Sequence, residues 1–188
     1  MKATVRPQMN TETNLPQHLA VTSLSLDDAP SIQQLYDRCS DYWQLCEGRL
    51  PLPSAAIDEF ADRPQDCTPA QKQLAGVRAD DGALVALIDY LVDYPVRGTW
   101  YLGLMLVTPA LRSGGTGAAL LAYFEDLARR AGAGQILVCV LDENKRAFRF
   151  WERQGFSVLR AYPPRLFGLK MHGRKEMGKI LAEQAPRQ

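Results

Sequence analysis

Residues 107–121 read VTPALRSGGTGAALL. Gly114, Gly115 and Gly117 stand directly against Ala118–Leu121, where the chain turns abruptly to helix-forming apolar residues. A helix start presents N–H groups without intrahelical partners and about half a positive charge. Glycine lets a ligand come close to the backbone because no Cβ intervenes. Arg112 adds a planar fork of charged donors. The stretch is therefore either a phosphate cradle or a plain strand-to-helix connection, and the sequence on either side has to decide.

Before the loop, TWYLGLMLV (99–107) reads as a strand. After it, Leu120, Phe124, Leu127 and Ala131 recur at helical spacing, closed by Gly132 and Gly134. QILVCVL (135–141) is apolar enough for a strand covered on both faces. ENKRAFRFWERQG (143–155) is a helix with a glycine stop, and FSVLRAY (156–162) and GRKEMGKIL (173–181) follow as strands. Upstream, HLAVTSLSL (18–26) alternates as a strand does. LDDAPSIQQLYDRCSDYWQL (26–45) reads as one helix capped by Asp27 or Asp28, and SAAIDEFADR (54–63) as a short second one. QKQLAGVRA and ALVALIDYLV flank ADDG (79–82), a hairpin turn. The order β-α-α-β-β-β-α-β-α-β-β predicts an α/β (α+β) fold: a mixed sheet, one parallel pair, and about four flanking helices.

Bulk composition narrows the function. A net charge of +1 gives no basic field for nucleic acid. Cys39, Cys46, Cys67 and Cys139 show no CxxC spacing, and only two histidines exist, so no metal cluster is expected. Free thiols in a reducing cytosol are the simplest reading. No run approaches the ~20 apolar residues of a membrane span. Residues 1–17 are polar, carry two prolines and lack the apolar run of a signal peptide; they read as a flexible tail before one domain over 18–188.

Two familiar phosphate loops fit poorly. A Walker loop needs a lysine that is missing here. A dinucleotide fingerprint finds Gly115 and Gly117, with Asp142 at the next strand's end, but Leu120 stands at its third glycine position.

A third reading uses more of the chain. Arg112, Gly115 and Gly117 form R-x-x-G-x-G, and residues 140–156, VLDENKRAFRFWERQGF, supply Asn144, Ala147, Trp151, Gly155 and Phe156. This paired pattern resembles the GNAT superfamily of N-acetyltransferases, and the order of elements agrees from about His18 to Leu181. DRCSDYWQLCEGRLPLP and YP…TWYLGLML resemble a bacterial subset of it. The resemblance implies a splayed pair of central parallel strands and an acetyl-coenzyme A (acetyl-CoA) or CoA site between them. Backbone groups of Leu106 and Val107 would pair with the pantetheine arm. The N–H groups of Ser113, Gly114, Gly115, Thr116, Gly117 and Ala118 would hold the pyrophosphate, with Arg112 shaping that loop or touching phosphate. Asn144 would bond the pantetheine, and Ala147, Phe150 and Trp151 would line the far wall. The other reading of Phe150 and Trp151 is core packing of an aromatic helix face.

The implied activity is transfer of an acetyl group to an amine, from a small molecule or a protein, without a membrane or nucleic-acid partner. The alternative is a CoA-binding sensor or assembly module without catalysis. Relatives often carry tyrosine where Trp151 stands, to protonate the departing sulfur; Tyr162 is the first substitute. Relatives often carry an acid on the strand entering the loop, which WYLGLMLV lacks. Asp89 is the nearest base, unless it is solvent-facing or salt-bridged at a strand end; Asp93 and Glu47 are weaker candidates. Tyr42, Trp43 and Glu47 would form an aromatic, acidic wall suited to a cationic amine, or would simply anchor their helix. The last strand, if exposed, offers an edge for a homodimer.

Overall fold

The computed structural model describes residues 20–181. The tail expected at 1–17, and the start of the first strand, lie outside them. The strands are β1 (Ala20–Ser23), β2 (Lys72–Arg78), β3 (Leu84–Leu91), β4 (Thr99–Val107), β5 (Gln135–Leu141), β6 (Ser157–Phe167) and β7 (Lys170–Ile180). The helices are α1 (Ala29–Arg38), α2 (Ser40–Glu47), α3 (Ala55–Asp58), α4 (Thr116–Arg130) and α5 (Lys145–Arg153). One seven-stranded sheet has the order β1-β2-β3-β4-β5-β7-β6. Neighbours are antiparallel except β4 and β5, which are parallel.

Alternation along the strands sorts the core into two layers. Leu120, Phe124 and Ala128 of α4, with Trp151 of α5, pack on Ala86, Ile88, Ile136 and Val138. Ile32, Leu35 and Tyr36 of α1, with Ala56 of α3, pack on Leu74, Leu87 and Leu106 from the other side. Each large side chain so buried contributes ~1.5–3 kcal/mol.

Three expectations change. The segment 26–45 is two helices, not one: the chain breaks at Cys39, whose thiol reaches the Val107 carbonyl at 3.6 Å. The break also lets Asp41 reach the loop after β4. The final two strands run through Phe167 and from Lys170, longer than the apolar pattern marks. Pro163 and Pro164 hide this; their missing N–H groups are tolerated because β6 is an edge strand. β7, the last strand in sequence, lies between β5 and β6 and has no free edge for a homodimer.

Two irregularities of β4 place the site. Its pairing with β5 stops at Leu102↔Val138, although both strands continue. Its pairing with β3 skips Gly103, because Asp89 pairs with Leu104 and Tyr90 with Leu102. Gly103 is a bulge. It is exposed in the middle of a central strand, where the sheet has opened.

Candidate active site

Beyond Leu102 the split between β4 and β5 forms a cavity of about 480 Å³, bounded by the loop after β4, by α5 and by α2. Three elements supply its polar groups. The first is the edge of β4. Thr108 N–H donates to Val85 C=O at 3.0 Å, and alternation then turns the backbone of Leu106 toward β3. Met105 and Val107 face the gap instead. The Val107 carbonyl accepts from Arg112 Nε at 2.8 Å, which leaves the Met105 backbone and the Val107 N–H turned to the cavity. The strand-edge role expected of Leu106 thus moves one residue to either side.

The second element is the glycine loop. Ser113 and Gly115 take positive φ, 68° and 89°, and the latter requires glycine. No side chain caps α4. The first bond of its ladder runs from Ala119 N–H to Gly115 C=O, so the N–H groups of Thr116, Gly117 and Ala118 have no helical partner. Ser113, Gly115, Gly117 and Ala118 line the cavity; Gly114 is exposed and Thr116 buried, and neither lines it. Arg112 shapes the loop: both terminal nitrogens engage Asp41 of α2, Nη2 at 3.1 Å from Oδ1. These bonds hold the Asp41 carboxyl below its usual range. Arg146 Nη2 donates to Ser113 Oγ at 3.3 Å, and Arg153 also lines the cavity. With Asp41 as the one carboxylate among the lining residues, the cavity favours an anion.

The third element is α5. Asn144 Oδ1 accepts from Ala147 N–H at 3.0 Å and so caps the helix, while the residue still lines the cavity. Ala147, Phe150 and Trp151 form the far wall. Trp151 serves the core as well: it is 7% exposed, edge-on to Phe150 and Phe156.

Asp89 is buried in the middle of β3 rather than at a strand end. Its Oδ2 lies 2.8 Å from Lys72 Nζ, and Lys72 also meets Glu59 at 3.4 Å. Burial pushes the Asp89 carboxyl up to about 8; Glu59 adds to the rise and Lys72 opposes it. Oδ1 is buried without a hydrogen-bond partner. Gly103, which lines the cavity, stands beside this carboxyl: a Cβ at 103 would be 2.9 Å from Asp89 Oδ2.

The remaining candidates divide. Tyr42 lines the cavity. Trp43 packs on Tyr36 and Tyr42, with its Nε1 buried and unpartnered. Glu47 is outside: its carboxylate pairs with Arg49 at 2.8 Å, and its carbonyl accepts Leu169 N–H in the turn between β6 and β7. Asp93 holds its own turn through Gly98 N–H at 2.7 Å. Tyr162 stands on β6, away from the cavity lining, with its hydroxyl given to Glu176 at 2.8 Å. Met105, Arg146 and Cys139 also line the cavity, and nothing in their sequence context marks them for it. Gly103 does carry a signal, a glycine inside an apolar strand, which marks a bulge or a close approach.

Residues 31–156, more than half of the chain, match the model of the acetyltransferase (GNAT) family. The chain belongs to that family and is an acyltransferase. The sequence matched none of the curated proteins with which it was compared. Among solved structures, an acetyltransferase from Thermus thermophilus is similar with a TM-score of 0.68 at 19% identity, covering 87% of this chain and 97% of that one. The ribosomal-protein-S18-alanine N-acetyltransferase of Escherichia coli has a TM-score of 0.64 at 17% identity, covering 90% and 98%. The spermidine N-acetyltransferase of Vibrio cholerae, solved with CoA and spermine, has a TM-score of 0.67 at 15% identity, covering 88% and 97%. At these identities the likeness is one of fold.

Proposed function

We propose that the protein is an N-acetyltransferase that uses acetyl-CoA and acetylates a primary amine. One observation carries this reading: an uncapped helix start and an open strand edge meet in one cavity. The first suits the pyrophosphate and the second the amide groups of pantetheine. Arg146, bonded to Ser113, adds charge on the phosphate side, and Met105 and Val107 offer the strand edge.

Bound acetyl-CoA supplies a thioester whose carbonyl carbon an amine attacks. The Met105 N–H, on the open edge, polarises the carbonyl oxygen. An amine with a pKa of ~10.4 is neutral in only about one molecule in two thousand at pH 7, so a base is needed. Asp89 receives that proton through water across Gly103, beside which its Oδ2 stands. Lys72 stabilises the carboxylate that must form before the next turnover. Trp151 has no acidic hydroxyl, so the proton for the departing sulfur comes from solvent. A thiol pKa of ~8.5 makes that sufficient.

Thiol release from acetyl-CoA with a panel of amines, beside equilibrium CoA binding, tests the reading. The expected result is saturable CoA binding and release that depends on both amine and protein. CoA binding with no release on any amine or peptide would make the protein a CoA-binding module, and no CoA binding would overturn both.

A further inference from the structure

The sheet face opposite α4 and α5 carries polar side chains that the CoA site does not use. His172, Arg174 and Glu176 alternate along β7 and so share one face. It is the face on which α2 lies, because His172 Nε2 meets the Cys46 carbonyl at 2.9 Å. Across β5, Glu176 pairs with Cys139 and Arg174 with Leu141, both of which line the cavity. Across β6, Arg174 pairs with Tyr162, Arg165 with His172 and Arg160 with Glu176.

Arg174 has no carboxylate. Its guanidinium is stacked 4.9 Å from the centroid of Tyr162 and 5.7 Å from that of Phe167, and it makes no ion pair with a described residue. Its Nη1 is buried without a hydrogen-bond partner. Arg165 lies over the Phe167 ring at 4.4 Å and Arg160 near the Tyr162 ring at 5.7 Å, likewise without ion pairs to described residues. Glu176 is the acid beside them, and its Oε2 already accepts the Tyr162 hydroxyl. A desolvated guanidinium N–H with nothing to donate to is costly, and a guanidinium on a flat aromatic support is arranged for a carboxylate. Position fixes the scale. β7 is one strand beyond β5, and strands are ~5 Å apart, so the backbone of Arg174, behind the cavity lining, stands about 5–10 Å from the gap, with its guanidinium over the rings of β6. That span is the size of one small molecule.

We propose that Arg174, assisted by Arg165, binds a carboxylate on the acceptor, so that the acceptors are amino acids and similar carboxylate-bearing amines rather than polyamines. The proposal rests on the N-acetyltransferase reading above. It also shifts the acceptor wall from Glu47, which is engaged elsewhere, to the β6–β7 hairpin.

The test measures equilibrium binding of the common amino acids, of their carboxamides and of spermidine to the CoA-saturated protein. At least one amino acid is expected to bind, and its carboxamide about tenfold or more weaker. Arg174→Met should abolish that preference while CoA affinity stays at the wild-type value, and Arg174→Lys should keep part of it. A carboxamide or spermidine that binds as well as the best amino acid overturns the proposal. So does the absence of amino-acid binding, or an unchanged preference in Arg174→Met. Thiol release read in parallel separates the two levels. Amino-acid binding through Arg174 without release with any amine leaves the carboxylate site standing and sinks the acetyltransferase reading. Release with spermidine alone does the reverse.

Discussion

The two halves of the cavity are made of different materials. The half proposed for the cofactor is backbone: the open edge of β4, the uncapped start of α4, and glycines that keep side chains away from both. The half proposed for the acceptor is side chains: Tyr42 on the cavity wall, with Asp89 on β3 and Arg174 on the hairpin behind the lining. Backbone groups are the same in every sequence, so a site built from them tolerates few solutions and leaves a compact trace of glycines. A site built from side chains changes with each substitution and draws on residues far apart in the chain.

The largest expected effect breaks the backbone half alone. Gly115→Glu places a carboxylate at the start of α4, against phosphate. Gly115→Ala is the control, because it shares the strain of φ 89° and nothing lies within 4 Å of the added Cβ. Gly115→Glu should weaken CoA binding about 100-fold or more relative to the alanine variant, with the far-UV spectrum unchanged. Equal affinities in the two variants would reduce the loop to a connector.

Next comes the side-chain half. Asp89→Asn should lower turnover by about 10²–10³ and leave CoA affinity near wild type. The wild-type rate should climb as pH rises through about 8, since the carboxylate is the base and burial keeps the carboxyl protonated below that. Stability should move the opposite way. In the unfolded chain the carboxyl has a pKa of ~3.9, so between about 4 and 8 the folded protein holds a proton that the unfolded chain has lost. The contribution of Asp89 to stability therefore falls as pH rises through that window. Asp89→Asn should flatten both profiles, and a wild-type rate profile in the variant would remove Asp89 as base.

Gly103→Ala tests the boundary between the halves. The new Cβ would sit 2.9 Å from Asp89 Oδ2, so the carboxyl and its pairing with Lys72 must shift. Turnover should fall about tenfold, with a smaller change in CoA affinity. A loss of CoA affinity as large as the loss of rate would mean that the bulge serves the cofactor instead.

The same division explains what is legible in the sequence. Arg112, Gly115, Gly117 and Asn144 stand in two short stretches with a helix and a strand between them, and the family and the mixed sheet follow from those. Leu106 differs by one residue because hydrogen-bond parity depends on register with β3, and side-chain periodicity alone does not give register. The break at Cys39 is hidden because apolar spacing continues across it. Tyr162 and Glu47 have suitable chemistry, yet each spends its polar group on a neighbour, Glu176 and Arg49 respectively. Arg174 gives no signal, since an arginine in a charged strand reads as solvated until its lack of a partner is seen.

The smallest effect concerns a residue shared by the cavity and the core. Trp151 lines the cavity and fills the core at once, with ring centroids 5.0 Å from Phe150 and 5.1 Å from Phe156. On the proposed reading, Trp151→Tyr adds a hydroxyl beside the departing sulfur, and it removes part of a buried ring system. The lost volume should cost ~1–2 kcal/mol, visible as a lower Tm. The rate should change less than about fivefold, because a thiolate with a pKa of ~8.5 leaves without much help. Reaction of a strongly nucleophilic amine under saturating conditions isolates this step. A gain in kcat of about a hundredfold there would mean that the missing acid limits the wild-type protein and that solvent does not replace it.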